Sequence, residues 1–255
     1  MPPLNDTVYF LSDTHFTYHT DDALEKENRR CFIEFLATIR GAARLYLVGD
    51  IFDFWFEYRS VIPRHYGEII SALAALSASG TRLFICRGNH DHWFGDYLPE
   101  TIGAVILKDP TVHSLQGRRV LITHGDTLMP GDRGYKALRA LIRSRGAIAL
   151  ARLIHPDLLF SFAALFSRAS KGISHRRTGL WVETLTARAE PLFFERGNDT
   201  FVMGHVHLPR LCEFGRRTFV ILGDWGTHRS FLRLSGGRLS LESFHSNGNT
   251  LIETR

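Results

Sequence analysis

A layered α/β fold is expected for this 255-residue chain, because three patterns occur together. Short β-like apolar runs alternate with amphipathic helical stretches through the first half. From Thr200 onward the signals are strand-like only, and a basic, helix-rich segment at about residues 131–196 lies between. Alternation of this kind reads as helices packed on a sheet. The length suits one buried core, or one domain carrying an insertion. The chain is therefore read as a single domain over 1–255 with a helical insertion at about 131–196.

The elements follow in order. Val8–Leu11 is a strand, and roughly Leu24–Ile39 is a helix with Cys31, Phe32, Phe35, Leu36 and Ile39 on one stripe. Leu45–Val48 is a strand, Tyr66–Ser79 a helix ended near Gly80, and Leu83–Cys86 another strand. A short strand at Val105–Leu107 precedes a β pair, Thr111–Leu115 and Arg119–Thr123, that turns at Gln116-Gly117. Tyr135–Ile154 is helix-like, Pro156 can open a second helix at its first turn, and Leu180–Phe194 is a third helical stretch. Strands follow at Thr200–Met203, Leu211–Phe214, Thr218–Leu222, Ser230–Leu234 and Leu239–Phe244, the last two a hairpin through Ser235-Gly236-Gly237. Residues from Ser246 onward read as a loose polar tail. There is no internal repeat and no low-complexity tract.

Composition narrows the class. An apolar fraction of 44% and a charged fraction of 22% are ordinary for a globular domain. No run of 18 uncharged apolar residues is present, so no spanning helix is expected. The first residues lack a basic segment followed by an apolar stretch, and a cytoplasmic location is expected. Cys31, Cys86 and Cys212 fall in periodic apolar segments and read as buried free thiols. The net charge of +5 is uneven. Residues 131–180 hold ten Lys or Arg against two Asp, a balance of +8, which leaves the rest of the chain at −3. Such a patch favours a phosphorylated ligand, an anionic membrane or nucleic acid. The blend of arginine with long apolar runs fits lipid better than a nucleic-acid groove, so no nucleic-acid partner is expected.

Five motifs carry chemistry: Asp13-Thr14-His15, Gly49-Asp50, Gly88-Asn89-His90-Asp91, His124-Gly125-Asp126 and Gly204-His205-Val206-His207. Four of them directly follow a β-like run and the fifth follows a shorter run of the same kind. Ligands at strand ends share one rim, where loops converge. Two divalent ions about 3.5–4 Å apart can clamp both the attacking and the leaving oxygen of a phosphoryl displacement. An anionic ligand must lie between ions that close, and Asp50 is the natural bridge. Imidazoles and carboxylates suit Mn, Fe, Zn, Co or Ni, and the absence of paired cysteines argues against a thiolate zinc site. Each motif alone is a common turn or core feature; five in this order at strand exits are not.

The set resembles the calcineurin-like metallophosphoesterases, whose pattern is D-x-H, G-D, G-N-H-D, H-G and G-H-x-H, over Asp13 to His207. That resemblance implies a sandwich of mixed sheets flanked by helices. It also implies one ion held by Asp13, His15, Asp50 and His207, and a second held by Asp50, Asn89, His124 and His205. His90 would lie beside the ions and touch the phosphate or the leaving group. Asp126 is expected to orient a ligand histidine, with Asp91 either in such a role or a turn carboxylate; both join His90 as catalytic candidates.

The flanking residues give a narrower resemblance. Gly49-Asp50-Ile51-Phe52-Asp53-Phe54-Trp55 and His124-Gly125-Asp126-Thr127-Leu128 are similar to segments of the UDP-2,3-diacylglucosamine pyrophosphohydrolases of lipid A synthesis, as is Asp132-Arg133-Gly134-Tyr135. The best-known members carry arginine where this chain has His90. An arginine would give a fixed bidentate phosphate fork, and a histidine gives a titratable donor. The resemblance implies Mn²⁺, cleavage to UMP and an acylated sugar phosphate, and peripheral association with the inner face of the inner membrane. Substrate contacts are expected from Asn89, His90, Asp132, Lys171, Arg176, Arg177 and His205. Leu158–Phe166 reads either as a packed helix of a cap or as an acyl-chain groove or membrane contact. The runner-up function is a phosphodiesterase or phosphatase of another small substrate, because a metal core hardly encodes specificity. A metal-free scaffold is disfavoured, since no ligand of the set is missing.

Overall fold

Two mixed sheets pack face to face in the computed structural model, which describes residues 6–18, 21–128, 140–174, 178–189 and 197–252. The first sheet starts from three parallel strands, β1 (Val8–Leu11), β2 (Arg44–Val48) and β3 (Arg82–Cys86), with β4 (Val105–Ile106) at one edge. On its other side β10 (Ser230–Ser235) runs antiparallel to β1, followed by β11 (Arg238–Ser243) and β12 (Thr250–Leu251). The second sheet has the order β5 (Thr111–Leu115), β6 (Arg118–Thr123), β7 (Thr200–Met203), β9 (Arg217–Ile221) and β8 (Arg210–Phe214).

Strand periodicity explains the layers. Alternate side chains of each strand point to opposite faces. Val8, Phe10, Tyr46, Val48, Phe84 and Cys86 therefore meet Val120, Ile122, Val202 and Val220 between the sheets. The other face of the first sheet, with Leu11, Leu45, Leu47 and Ile85, packs on α1 (Ala23–Thr38), α2 (Gly67–Ala78) and α3 (Tyr97–Ile102). The helix Thr178–Ala189 covers the outer face of the second sheet through Val182 and Leu185. At about 25 cal/mol per Å² of apolar surface, these three cores supply the main stabilising term.

The expected elements are present with small shifts at their ends. Helix α1 begins where the Asp22 carboxylate accepts the Leu24 N–H at 2.9 Å, a side-chain N-cap. Its Arg29 is buried yet satisfied, donating to Glu25 at 2.6 Å, to Glu68 at 2.8 Å and to the Thr17 carbonyl. One guanidinium thus ties α1, α2 and the loop after β1 together. Cys31, Cys86 and Cys212 are buried and free, and Trp55 is core.

Two expectations change. Tyr135–Ile154 is not one helix: residues 140–142 are helical, but Ser144 turns extended at φ −69, ψ 150. Its hydroxyl accepts the Ala147 N–H at 3.2 Å and so starts a fresh helix, α4 (Arg145–Ala151). Pro156 does open the next helix, α5 (Pro156–Ser174); the third is α6 (Thr178–Ala189), and the expected continuation to Phe194 lies outside the described residues. The tail is not loose throughout, because Thr250 and Leu251 pair with Ser243 and Glu242 as an added edge strand.

Candidate metal centre

Seven residues expected as ligands converge at one end of the sandwich. Asp13, Asp50 and Asn89 follow β1, β2 and β3, while His124 and His205 follow β6 and β7. Both sheets are parallel at these strands, so all five exits fall on the same rim. The loops are held in unusual backbone. Asp13, His15, Asp50, His205 and His207 all have positive φ, between 46° and 69°. For residues other than glycine this conformation costs on the order of 1 kcal/mol or more each, and it persists only where surroundings enforce it. Here Asp13 and His15 donate their N–H groups to the Gly49 and Asp50 carbonyls at 3.1 and 3.0 Å, and Trp225 donates to the Asp13 carbonyl at 3.2 Å.

Two glycines of the motifs have a steric reason. A Cβ on Gly88 would sit 2.0 Å from an Asp50 carboxylate oxygen, and one on Gly49 would sit 2.4 Å from His124 Nδ1. The loops therefore approach as closely as backbone allows.

Three groups of possible ligands result, one of them His15 with Asp53 and His90, and the other two are built from the expected ligands. Asp13, His15 and His207 form one, and Asp50, His124 and His205 form the other, with donor atoms in each within 4.8 Å of one another. Individual separations are 3.2 Å for His207 Nε2 to Asp13 Oδ1, 3.3 Å for His124 Nε2 to Asp50 Oδ2, and 3.2 Å for His124 Nε2 to Asn89 Oδ1. Donors bonded to one ion at about 2.0–2.2 Å lie roughly 3.0–3.6 Å apart, and these gaps match that spacing. Asp50 Oδ2 also lies 3.7 Å from His15 Nε2, which places one carboxylate oxygen between both groups. Asp13 Oδ1 is buried without a hydrogen-bond partner. A buried carboxylate oxygen without a donor is costly, and a cation is the partner this donor set fits.

The electrostatics agree. Burial opposes ionisation of Asp13 and Asp50, but the facing imidazoles hold both well below the usual carboxylate range: His207 and His15 for Asp13, His124 and His90 for Asp50. Burial likewise opposes charge on His15, yet the nearby Asp13 carboxylate, a hydrogen bond to Asp53 and the field of Asp50 push it up to about 10. His124 is raised by Asp50 against its own burial, while burial and the neighbouring His124 take His205 down to about 4. Without metal the carboxylates are balanced by protons on imidazoles, and divalent ions would take the place of those protons.

The remaining predicted residues separate into different roles. His90 borders the centre, its ring 4.8 Å from that of His15, and its N–H donates to Asp50 Oδ1 at 2.8 Å. Asp91 is fully buried and accepts backbone N–H groups from Gly88 at 2.9 Å, Asp50 at 3.3 Å and Ile51 at 2.7 Å. It shapes two ligand loops. Burial and the nearby Asp50 push Asp91 up to about 7, against those N–H donors. His124 Nδ1 lies 3.0 Å from the Val48 carbonyl, and Asp126, expected to orient a ligand histidine, pairs with Arg143 at 3.3 Å. Asp132, Arg176 and Arg177 lie outside the described residues, and so does the side chain of Lys171.

Two residues escaped the motif reading. Asp53 accepts from His15 Nδ1 at 3.0 Å through its carboxylate and from His90 Nδ1 at 3.0 Å through its carbonyl. One residue thereby fixes which nitrogen of each ring faces the centre. A carboxylate three residues beyond Asp50 was the available signal. Asp53→Asn is expected to weaken divalent-metal affinity by about 10–100-fold, the usual effect of losing a partner that orients a ligand histidine. Calorimetric titration of the metal-free variant checks this, and wild-type affinity would show that His15 needs no such support. Arg143 is the second. From the helical insertion it donates to the Gly88 carbonyl at 3.1 Å and to Asp126, and Trp93 and Tyr58 reach the insertion's Ile142 and Ile154 carbonyls at 3.3 and 2.9 Å. Only long-range contact marks it, so sequence spacing could not.

The model of the calcineurin-like phosphoesterase family matches residues 7–209. A UDP-2,3-diacylglucosamine hydrolase of Xanthomonas oryzae pv. oryzae is 32% identical over 253 residues, covering 93% of this chain and 99% of that protein. Proteins of the same name from Pseudomonas savastanoi pv. phaseolicola and Porphyromonas gingivalis are each 30% identical, covering 93% and 94% of this chain and 95% and 98% of their own lengths. Among solved structures, the Escherichia coli phosphoesterase Yfce overlays with a TM-score of 0.48 at 15% identity, covering 96% of this chain and 98% of that one.

Proposed function

This chain belongs to the calcineurin-like phosphoesterases, metal-dependent hydrolases, and from that premise we propose that it cleaves the pyrophosphate bond of UDP-2,3-diacylglucosamine to UMP and 2,3-diacylglucosamine 1-phosphate. The observation that carries this reading is similarity over more than nine-tenths of both chains to proteins named for that substrate, well beyond the metal motifs alone.

In this reading Asp13, His15, Asp50 and His207 hold one divalent ion, and Asp50, Asn89, His124 and His205 hold the other, with Mn²⁺ the expected metal. The ions supply Lewis acidity toward the phosphoryl oxygens and bring the pKa of water toward neutrality. Asn89 adds an oxygen donor without adding charge that would repel a diphosphate. Asn89 and His205 line the same centre and would face the phosphate as well. Asp91 and Asp53 hold the loops and rings in place. Lys171, Arg176, Arg177 and Asp132 belong to the insertion proposed as the substrate cap.

His90 is the group for the developing charge. Its Nδ1 is engaged by the Asp53 carbonyl, which leaves Nε2 for the substrate. Burial lowers its pKa against the field of Asp50, so the free protein favours the neutral ring. An anionic diphosphate brought alongside would favour the protonated ring, which then donates to a phosphate or leaving oxygen. Expected for His90→Asn is a fall in kcat on the order of 10²–10³ with metal content intact. An unchanged rate would make His90 structural.

Assay of the purified, Mn²⁺-loaded protein tests the substrate. UMP should form from UDP-2,3-diacylglucosamine far faster than a chromogenic phosphodiester is cleaved, and in ¹⁸O-labelled water the label should enter UMP. Diester cleavage without UMP release would favour the general phosphodiesterase reading instead.

A further inference from the structure

At the end of the first sheet opposite the candidate ligands, two arginines stand side by side. Arg44 and Arg82 open β2 and β3 and are register partners in the parallel pair. The metal-side residues follow the other ends of these five-residue strands, about 16 Å away at roughly 3.3 Å per residue. Like charges directly opposed on neighbouring strands repel, and neither guanidinium is ion-paired among the described residues. Both lie over a single ring instead, with their Cζ atoms 5.8 and 5.3 Å from the Phe84 centroid.

That ring ends a stacked column. Phe10, Tyr46 and Phe84 follow one another at 4.8 and 4.7 Å, and the edge strand of the second sheet closes the corner with His113, whose ring is 5.4 Å from Phe84. The Tyr46 hydroxyl accepts from Arg44 Nη1 at 3.4 Å and lies 2.6 Å from His113 Nδ1. In the tautomer in which His113 Nδ1 accepts the hydroxyl proton, the neutral ring carries its own proton on Nε2 and presents it outward. What this corner offers outward is two guanidiniums and an imidazole N–H. They are all donors, and no acceptor among the described residues engages Arg82 or His113 Nε2.

We propose that Arg44, Arg82 and His113 form a second anion site, for the phosphate dianion of inorganic phosphate or a phosphomonoester, apart from the catalytic centre. A planar guanidinium fork matches phosphate oxygens, and two forks flanking one dianion convert their mutual repulsion into attraction. Stacking over Phe84 holds both groups ready, which lowers the ordering cost of binding. Partial burial and the two arginines hold His113 below its ordinary value. A dianion between them would act in the opposite direction, which gives a local signal that a phosphate bound at the metals does not produce.

The test follows the His113 ring by NMR in the full-length, metal-replete protein as inorganic phosphate, UMP, or phosphatidic acid vesicles against phosphatidylcholine vesicles are added. Expected is a saturable response of His113 and an upward move of its titration midpoint by about one unit. Arg44→Gln/Arg82→Gln should remove both effects while leaving chromogenic phosphodiester turnover unchanged. Should that pair fail to fold, the single change at exposed Arg82 should weaken binding at least tenfold. A response to soluble phosphate assigns a small-molecule ligand; a response to phosphatidic acid vesicles alone assigns a lipid phosphomonoester headgroup. A His113 that is silent to all additions, or that responds equally in wild type and the arginine variants, overturns the site and leaves the hydrolase reading untouched.

Discussion

Asp50→Ala is expected to release both metal ions together and to lower turnover by on the order of 10³-fold or more, whatever the substrate. The reason is positional. Asp50 Oδ2 lies 3.3 Å from His124 Nε2 and 3.7 Å from His15 Nε2, so one oxygen faces both ligand groups. Removing it leaves each ion short of a ligand and removes the negative charge that screens two dications from each other. Asp50→Asn separates ligation from loop structure, since an amide oxygen can still accept the His90 N–H that Asp50 Oδ1 accepts at 2.8 Å. Metal analysis after gel filtration, with circular dichroism as a check on folding, reads the result. Near two metals per chain in a folded Asp50→Ala would falsify the bridge.

The centre was legible because its chemistry demands particular residue types at strand ends. Asp13, Asp50, Asn89, His124 and His205 each follow an apolar run whose end fixes where the chain must turn. The hidden parts are those in which one residue acts on another far along the chain. Arg143 reaches Asp126 and Gly88, and Asp91 reaches the Asp50 and Ile51 N–H groups, by tertiary contact alone. Helix α3 went unseen because six residues, Tyr97–Ile102, are too few to show a helical period. The two-residue strand Thr250–Leu251 is set by its partner, with no apolar alternation of its own. The break at Ser144 was visible in principle as a capping serine, but helix-like periodicity on both sides masked it. For Leu158–Phe166 both readings survive, on opposite faces of one helix. Phe160 packs edge-on to Tyr18 and Phe54, with ring centroids 5.9 and 5.0 Å apart, while Leu158, Phe162 and Leu165 point outward.

Replacing Leu153, Leu158, Phe162 and Leu165 together by serine is expected to weaken binding to anionic vesicles by nearly 10³-fold. These side chains are 82%, 55%, 65% and 68% exposed, and the last three recur at i, i+4 and i+7 along α5. Leu141 and Leu150 of the same insertion are likewise exposed. Transferring each exposed remainder out of water contributes about 1 kcal/mol, hence about 4 kcal/mol for the four, and each 1.4 kcal/mol is tenfold in partitioning. Among the described residues no single helix is long and apolar enough to cross a membrane. The bend of 118° between Arg145–Ala151 and the following helix suits a pair lying along an interface. The basic balance of residues 131–180 would add attraction to anionic headgroups. Because the four residues touch little in the folded protein, the variant should keep its stability within a few tenths of a kcal/mol per site. Phe160→Ser is the contrast, since it empties a packed position and should lose about 2–4 kcal/mol of stability. KM for the diacyl substrate should rise in the fourfold variant while KM for a chromogenic phosphodiester stays put. Equal losses on both substrates, or vesicle binding that survives the four changes, would assign this surface to packing within the cap and detach the enzyme from the membrane.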